Sequence, residues 1–169
     1  MQLTASLQGL TQPVVLEEGV SFVSLAQVPR LSMIYTETDP QYVSANYFYN
    51  DQDTYIHLPV ISKDWLDRLK AQAKIDQEPD VATIVGFFGE EDFEVYLAGE
   101  TKNSSAKIVY FDATGNVISK GAAGGGFVMF NVPIKTQEVV VIGTESEKIY
   151  SKVVPTDLEA TSVLNFTSY

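Results

Sequence analysis

Short segments rich in β-branched and aromatic residues recur along the second half of the chain, and this recurrence constrains the fold more than any other feature. From about residue 83 onward they return roughly every 10 to 14 residues, separated by turn-forming residues. Strands are predicted at residues 83–88, 93–98, 107–112, 127–132, 138–142, 148–154 and 162–166. Strands of this number and spacing are typical of an antiparallel β-sandwich, so a mainly β fold is expected.

The order of apolar residues within two strands predicts how each strand is buried. Phe93, Val95 and Leu97 occupy alternate positions, which is typical of a strand with one face in the core. Residues 139–142 are continuously apolar, which predicts a strand buried on both faces.

Turn-forming residues between the strands predict where the chain reverses. Asp112 and Gly115 supply a turn starter and a residue that tolerates positive φ, so residues 112–116 are expected to close a hairpin. Pro133 and Pro155 are each expected to end a strand, because proline has no N–H to donate. The glycine-rich run 121–126 leads into a strand rather than a helix. It is therefore interpreted as a flexible loop, a bulge or close backbone packing, and not as a phosphate-binding loop.

Residues 63–74 break the β pattern and predict one helix of about three turns. Ser62 is a suitable N-cap, and Trp65, Leu66 and Leu69 lie on one stripe at helical spacing. The lone tryptophan is interpreted as a packing anchor. The polar residues 76–80 that follow predict a linker, so two domains are expected, an N-terminal β region with the helix at 1–80 and a β-sandwich at 81–169.

The N-terminal half gives weaker signals. Strands are predicted there at residues 14–16, 20–25, 31–35, 42–49 and 54–59.

The segment 108–117, which contains Asp112-Ala113-Thr114-Gly115, is followed by a strand that begins at Gly126-Phe127 and by an Asn131-Val132-Pro133 corner. This pattern resembles the carboxypeptidase regulatory-like, or transthyretin-like, β-sandwich family over residues 82–166. The resemblance implies a transthyretin-like antiparallel sandwich in the C-terminal half. It also implies a non-catalytic accessory domain of an exported or cell-surface protein, with no catalytic residues to carry over.

Charge and composition exclude several classes of partner. The net charge is −11 and the sequence pI is about 4.4, so nucleic acid and acidic membrane surfaces are not expected to bind. A cation or a basic partner remains open. No apolar run reaches the ~20 residues that span a bilayer, so membrane insertion is not expected. The first ten residues lack a signal-peptide pattern, so a secreted, periplasmic or cell-surface location is expected from the resemblance alone.

The residue inventory argues against most catalytic mechanisms. The chain contains no cysteine and a single histidine, His57, which excludes thiolate chemistry and a multi-histidine zinc site. Alternation places His57 on the surface face of a strand, where a structural role is favoured over a catalytic one. Carboxylates are plentiful, so a hydrolase with a carboxylate pair is kept as the third hypothesis.

A cluster of tyrosines among asparagine and aspartate residues is the candidate ligand-binding region. Its members are Tyr42, Tyr47, Tyr49 and Tyr55. Exposed tyrosines stack on sugars or form hot spots in protein interfaces, and packing in the core is the alternative. The acidic turn with Asp51 and Asp53, like residues 90–92, offers oxygen ligands of the kind that calcium prefers. Solvated turn charges are the alternative for both.

These patterns together predict a non-enzymatic binding or assembly module that mediates protein–protein contact. The alternative is a carbohydrate- or calcium-dependent binding domain that uses the tyrosine region and its acidic turns. Another protein or a surface glycan is the expected partner, and no cofactor is expected unless calcium is bound.

Overall fold

The chain folds into β-strands and one helix, as a computed structural model shows for residues 3–7, 14–16, 32–37, 41–49, 59–76, 78–99, 105–158 and 161–166. The elements are β1 (Leu3–Leu7), β2 (Val14–Leu16), β3 (Ser32–Glu37), β4 (Ala45–Tyr49), α1 (Lys63–Gln72), β5 (Val81–Phe88), β6 (Phe93–Leu97), β7 (Lys107–Phe111), β8 (Val117–Ile118), β9 (Gly125–Pro133), β10 (Thr136–Gly143), β11 (Ile149–Pro155) and β12 (Thr161–Asn165). The predicted mainly β fold is confirmed.

These strands form two sheets. The larger sheet has nine strands in the order β2-β1-β3-β4-β12-β5-β9-β7-β8, and the smaller has three in the order β11-β10-β6. Neighbouring strands are antiparallel except at β12, which runs parallel to both β4 and β5. The two sheets give the coarse sandwich that the strand spacing predicted.

The central strands of the nine-stranded sheet, β4, β12, β5, β9 and β7, are covered on both faces. One face packs against α1, around core residues such as Leu66, Leu69, Val128 and Phe130. Alternate residues of the same strands point to the other face and pack against β6, β10 and β11. Because side chains alternate along a strand, one strand supplies both cores. The molecule is therefore layered as helix, large sheet and small sheet.

The predicted helix is confirmed and anchors to the large sheet through its apolar stripe. Leu66 and Leu69 are buried, and the Trp65 ring meets the Phe111 ring edge-on with centroids 5.0 Å apart. The Trp65 indole N–H donates to the Gly115 carbonyl oxygen over 3.0 Å. This contact ties the helix to the turn between β7 and β8, and the tryptophan acts as the packing anchor that the sequence predicted.

The large sheet continues across the expected domain boundary at residues 80 and 81. β12 comes from the end of the chain and lies between β4 on one side and β5 on the other. Its Val163 is in register with Tyr47 and with Val85. The division into two domains stays a prediction, and described strands from both halves share the large sheet.

The glycine-rich run packs closely against its neighbours, one of the three roles that the sequence predicted. A Cβ on Gly126 would lie 2.2 Å from the Gly86 carbonyl oxygen, and a Cβ on Gly125 would lie 2.2 Å from that of Phe111. β9 can approach β5 and β7 at these points only because both positions lack a side chain.

Predicted strands agree with the structure to within a few residues in the C-terminal half, with one error of burial. Val139 and Val141 are fully buried, but Val140 and Ile142 are partly exposed. The prediction of burial on both faces for residues 139–142 is therefore wrong, because the small sheet packs on the large one through a single face. The predicted strand at 14–16 matches β2, and those at 31–35 and 42–49 correspond to β3 and β4 with shifted bounds. The prediction at 20–25, and that at 54–59 apart from Pro59, lies outside the described residues.

Candidate functional site

The solvent-facing side of the small sheet carries large apolar side chains. Ile149 is 69% exposed, Val153 is 49% exposed and Tyr96 is 45% exposed. We call this surface the outer face; its residues are Glu94, Tyr96, Glu138, Val140, Ile142, Ile149, Ser151 and Val153. They point away from the core because the alternate residues of each strand, such as Val95 and Val141, are buried against the large sheet.

The register of the three strands makes these side chains direct neighbours. Val140 lies between Tyr96 on β6 and Ser151 on β11. Ile142 lies opposite Ile149 in the next row. Adjacent strands are about 4.8 Å apart, so side chains in one row touch or nearly touch. An apolar strip therefore crosses the outer face from Ile149 through Ile142 and Val140 to Tyr96, with Ser151 between Ile149 and Val153 on β11.

Among the described residues of the outer face, both charged side chains are acidic. Glu94 lies opposite Ile142, and Glu138 lies opposite Val153. The Tyr96 hydroxyl donates to the Glu94 carboxylate, and this hydrogen bond raises the pKa of Tyr96. The Ser151 hydroxyl donates to the Glu138 carboxylate over 2.5 Å. The strip thus combines apolar side chains with negative charge.

The carboxylates of residues 90–92, one of the two predicted calcium-binding turns, bind other groups of the protein. The backbone N–H groups of Glu145 and Ser146 donate to the Glu91 carboxylate over 2.7 and 2.8 Å. The Ser146 hydroxyl also donates to it, and chiefly this bond lowers the pKa of Glu91. Asp92 forms an ion pair with Lys120 at 2.6 Å, and the hydrogen bond within that pair lowers the pKa of Asp92.

A tyrosine completes this network at the same end of the small sheet. The Tyr150 hydroxyl donates to the Glu90 carboxylate over 2.6 Å, which raises the pKa of Tyr150 to about 12. The network ties the turn between β10 and β11 to the turn between β5 and β6. In the part of the chain that the structure describes, no group of three or more histidine, cysteine, aspartate or glutamate residues is arranged to hold a metal ion.

The tyrosines predicted to bind a ligand have different environments. Tyr47 is 3% exposed, and its hydroxyl donates to the Pro59 carbonyl oxygen over 2.7 Å, so this ring packs in the core under α1. Tyr42 is half-buried before β4 and forms a backbone bridge with Ser62. Tyr49 is the last residue of β4.

The other predicted site residues are not covered by the structure. Asp51, Asp53 and Tyr55 lie outside the described residues, and so does His57. The ligand-binding role of the tyrosine region and the calcium role of its acidic turn stay predictions.

A buried asparagine on β4 contacts the segment between β11 and β12. Asn46 is 4% exposed, and its Nδ2 donates to the Asp157 carboxylate over 2.9 Å. Its Oδ1 has no hydrogen-bond partner among the described residues. An ordered water molecule commonly satisfies a lone buried acceptor of this kind.

Comparison with known proteins identifies no relative. The chain matches no protein-family model, no curated protein and no solved structure. Among the described residues, no helix has the length and apolar character that crossing a membrane requires. The resemblance to the carboxypeptidase regulatory-like family stays a prediction.

Proposed function

We propose that the chain is a non-enzymatic protein-binding module whose outer face contacts a partner protein. The observation that supports this function is the exposure of Tyr96, Ile149 and Val153 on the two outer strands of one three-stranded sheet. Contiguous exposed apolar side chains, especially with polar residues at their rim, are typical of interaction sites on folded domains. Export to the periplasm or cell surface, which the family resemblance implies, is part of the same proposal.

The charges of the outer face define the chemistry of the partner. Glu94 and Glu138 flank the apolar strip, and the whole chain carries a net charge of −11. A partner with an apolar centre and lysine or arginine at its rim would complement this surface. A second copy of the chain would bring like charges together, so a different protein is the expected partner.

The other hypotheses lack a supporting observation on the described residues. A carbohydrate- or calcium-dependent function would use Asp51, Asp53 and Tyr55, which the structure does not describe, and Tyr47, which packs in the core. A hydrolase would need two carboxylates facing a substrate-sized cleft, and the described carboxylates at residues 90–92 instead hold two turns together.

Selection of random twelve-residue peptides, displayed on phage, against the whole chain tests the proposal. We expect enrichment of peptides that combine lysine or arginine with aliphatic or aromatic residues. The double variant Ile149→Ser/Val153→Ser should weaken their binding by at least about tenfold, because it removes the most exposed apolar contacts. Leu158→Ser is the matched control, since Leu158 is 60% exposed but lies outside the outer face, and it should leave affinity within about twofold.

Neutralising both carboxylates of the outer face tests whether charge contributes to binding as proposed. Glu94→Gln/Glu138→Gln should reduce affinity, and the effect should shrink as salt rises from roughly 0.05 to 0.5 M. Failure to enrich any peptide, or peptides that bind the Ile149→Ser/Val153→Ser variant as tightly as the unchanged chain, would overturn the proposed function.

A further inference from the structure

One edge of the small sheet is unpaired among the described strands. β11 is the first strand in the order β11-β10-β6, so β10 is its only partner in that sheet. β11 is seven residues long and lies at the margin of the outer face. An edge strand presents a row of backbone N–H and C=O groups that another strand can pair with.

The hydrogen-bond pattern shows which residues of β11 direct their backbone groups outward. The Gly143 N–H donates to the Lys148 carbonyl oxygen over 3.0 Å, and the Thr156 N–H donates to that of Lys135 over 3.2 Å. In an antiparallel pair only alternate residues bond to a given neighbour. Residues 148, 150, 152, 154 and 156 therefore face β10, and Ile149, Ser151 and Val153 face the open edge.

The opposite edge of the small sheet is closed by other parts of the chain. On β6, the Phe93 N–H donates to the Gly121 carbonyl oxygen and the Val95 N–H donates to the Tyr110 hydroxyl, each over 3.3 Å. These contacts use the β6 groups that point away from β10. Strand addition at this sheet is therefore favoured at β11 rather than at β6.

β11 has little of the protection that proteins normally give an edge strand. Charged side chains, bulges and proline usually prevent pairing with other chains. The edge-facing residues Ile149, Ser151 and Val153 are uncharged, and Lys152 turns toward the core with its ammonium 5.8 Å from the Phe166 ring. The register with β10 is continuous from Ile149 to Pro155. Proline blocks pairing only at the Pro155 end.

We propose that the partner supplies an extended segment that pairs with β11 and adds a fourth strand to the small sheet. This inference rests on the proposed function and names the form in which the partner binds. Backbone hydrogen bonds to Ile149, Ser151 and Val153 give affinity, and alternate side chains of the added strand extend the apolar strip. Glu138 lies on β10, two strand spacings or about 10 Å from the added strand, so long basic side chains of the segment can approach it across β11.

Substitution at Ser151 separates strand addition from simple contact with the outer face. Ser151→Pro removes an N–H that faces the open edge and makes no bond to β10, so the sheet itself should persist. The variant should bind the selected peptides at least about tenfold more weakly. Ser151→Ala loses the same hydroxyl but keeps the N–H, so it should bind the selected peptides at least about fivefold more tightly than Ser151→Pro.

Amide hydrogen exchange gives a readout that needs no variant. In the free chain, the amides of Tyr150 and Lys152 should be protected and those of Ile149, Ser151 and Val153 should exchange rapidly. A selected peptide should slow exchange of these three at least about tenfold, since each would then donate to the added strand.

The outcomes distinguish the two proposals. If Ile149→Ser/Val153→Ser weakens binding but Ser151→Pro does not, the outer face binds the partner and strand addition is wrong. Protection of the Ser151 amide in the free chain, or no change on peptide binding, would also overturn strand addition. If neither set of variants affects binding, the proposed function itself is wrong.

Discussion

β9 and β11 are similar in sequence character but differ in burial. Both are mostly apolar and both end in proline, at Pro133 and Pro155. In β9, residues 125–132 are all buried, whereas in β11 only Val154 is buried. β9 lies in the middle layer between α1 and the small sheet, and β11 lies at the edge of the outermost layer. The layer in which a strand lies decides how much of its apolar surface remains available to a partner.

Strands β5 and β9 of the middle layer are packed closely against each other. A Cβ on Gly86 would lie 2.1 Å from the Phe127 ring, so that ring fills the space above a glycine of the neighbouring strand. Such close packing is typical of a strand whose two faces both lie in a core, as those of β9 do. On the outer face, Ile149 and Val153 meet solvent instead. We therefore expect stability to depend on β9 and binding to depend on β11.

The largest effect should come from Phe130→Ala, compared with Ile149→Ala. Phe130 is 0% exposed, and its loss should lower the free energy of unfolding by about 3–5 kcal/mol. Ile149 is 69% exposed, so its truncation should cost less than about 1 kcal/mol. Denaturant unfolding followed by Trp65 fluorescence measures both. Similar losses of unfolding free energy for the two variants would mean that Ile149 is buried. They would contradict the difference between the middle layer and the outer face.

A second difference between the layers is the β-bulge in the middle layer. The register between β5 and β9 shifts between Ala82 and Ile84, whereas β10 pairs with β11 without interruption. At the bulge, Asn131 has a φ of +57° and is 2% exposed. Its Nδ2 donates to the Asp76 carbonyl oxygen over 2.9 Å, and its Oδ1 accepts from the Glu78 N–H over 3.3 Å. Asparagine tolerates the left-handed conformation and holds the connection between α1 and β5.

Substitutions at Asn131 should separate the contribution of its side-chain hydrogen bonds to stability from that of its left-handed backbone conformation. Asn131→Ala loses both hydrogen bonds and forces alanine into a left-handed conformation, so it should cost about 2–4 kcal/mol. Asn131→Gly loses the same bonds without that conformational penalty, so it should be about 1–2 kcal/mol more stable than Asn131→Ala. Unfolding curves of the two variants give the difference. Equal stabilities would show that the positive φ contributes nothing.

The strands and turns of the C-terminal half could be predicted because their signals are local. Alternation at Phe93, Val95 and Leu97 matches their burial, and Asp112 with Gly115 closes the turn that joins β7 to β8. The position of β12 could not be predicted. Its parallel pairing with β4 and β5 joins segments far apart in the chain, and no local pattern encodes such a pairing.

The candidate site could not be predicted for a related reason. In residues 148–154 apolar side chains occupy both odd and even positions, so alternation does not tell which face is buried. For Tyr47 the sequence left ligand binding and core packing both open, and its position on β4 places it in the core under α1. Burial at these residues depends on which layer covers the strand, and this is a property of the whole fold.

The smallest expected effect is on the pH dependence of stability. It concerns the hydrogen bonds by which Glu91 holds the turn between β10 and β11. Hydrogen bonds from Ser146 and Glu145 lower the pKa of Glu91 from its ordinary value of 4.5, so the folded state favours the carboxylate. Stability from this group is therefore present above about pH 4.5 and is lost as the pH falls through the lower folded value. The unfolding midpoint temperature should fall less steeply between about pH 5 and pH 3 in Glu91→Gln than in the unchanged chain.

A carboxylate on the turn between β10 and β11, which Glu91 contacts, provides the control for that measurement. Glu145→Gln leaves the carboxylate of Glu91 and its backbone donors in place, so it should keep the steep acid dependence. If Glu91→Gln shows the same acid dependence as the unchanged chain, its hydrogen bonds do not fasten the turn. The small sheet would then be held to the large sheet by apolar packing and by the remaining polar contacts, such as the hydrogen bond from the Val95 N–H to the Tyr110 hydroxyl. Among the described strands, β9 pairs with a strand on each side and β11 with a strand on one side only, so the two regions would still differ in burial and in backbone pairing.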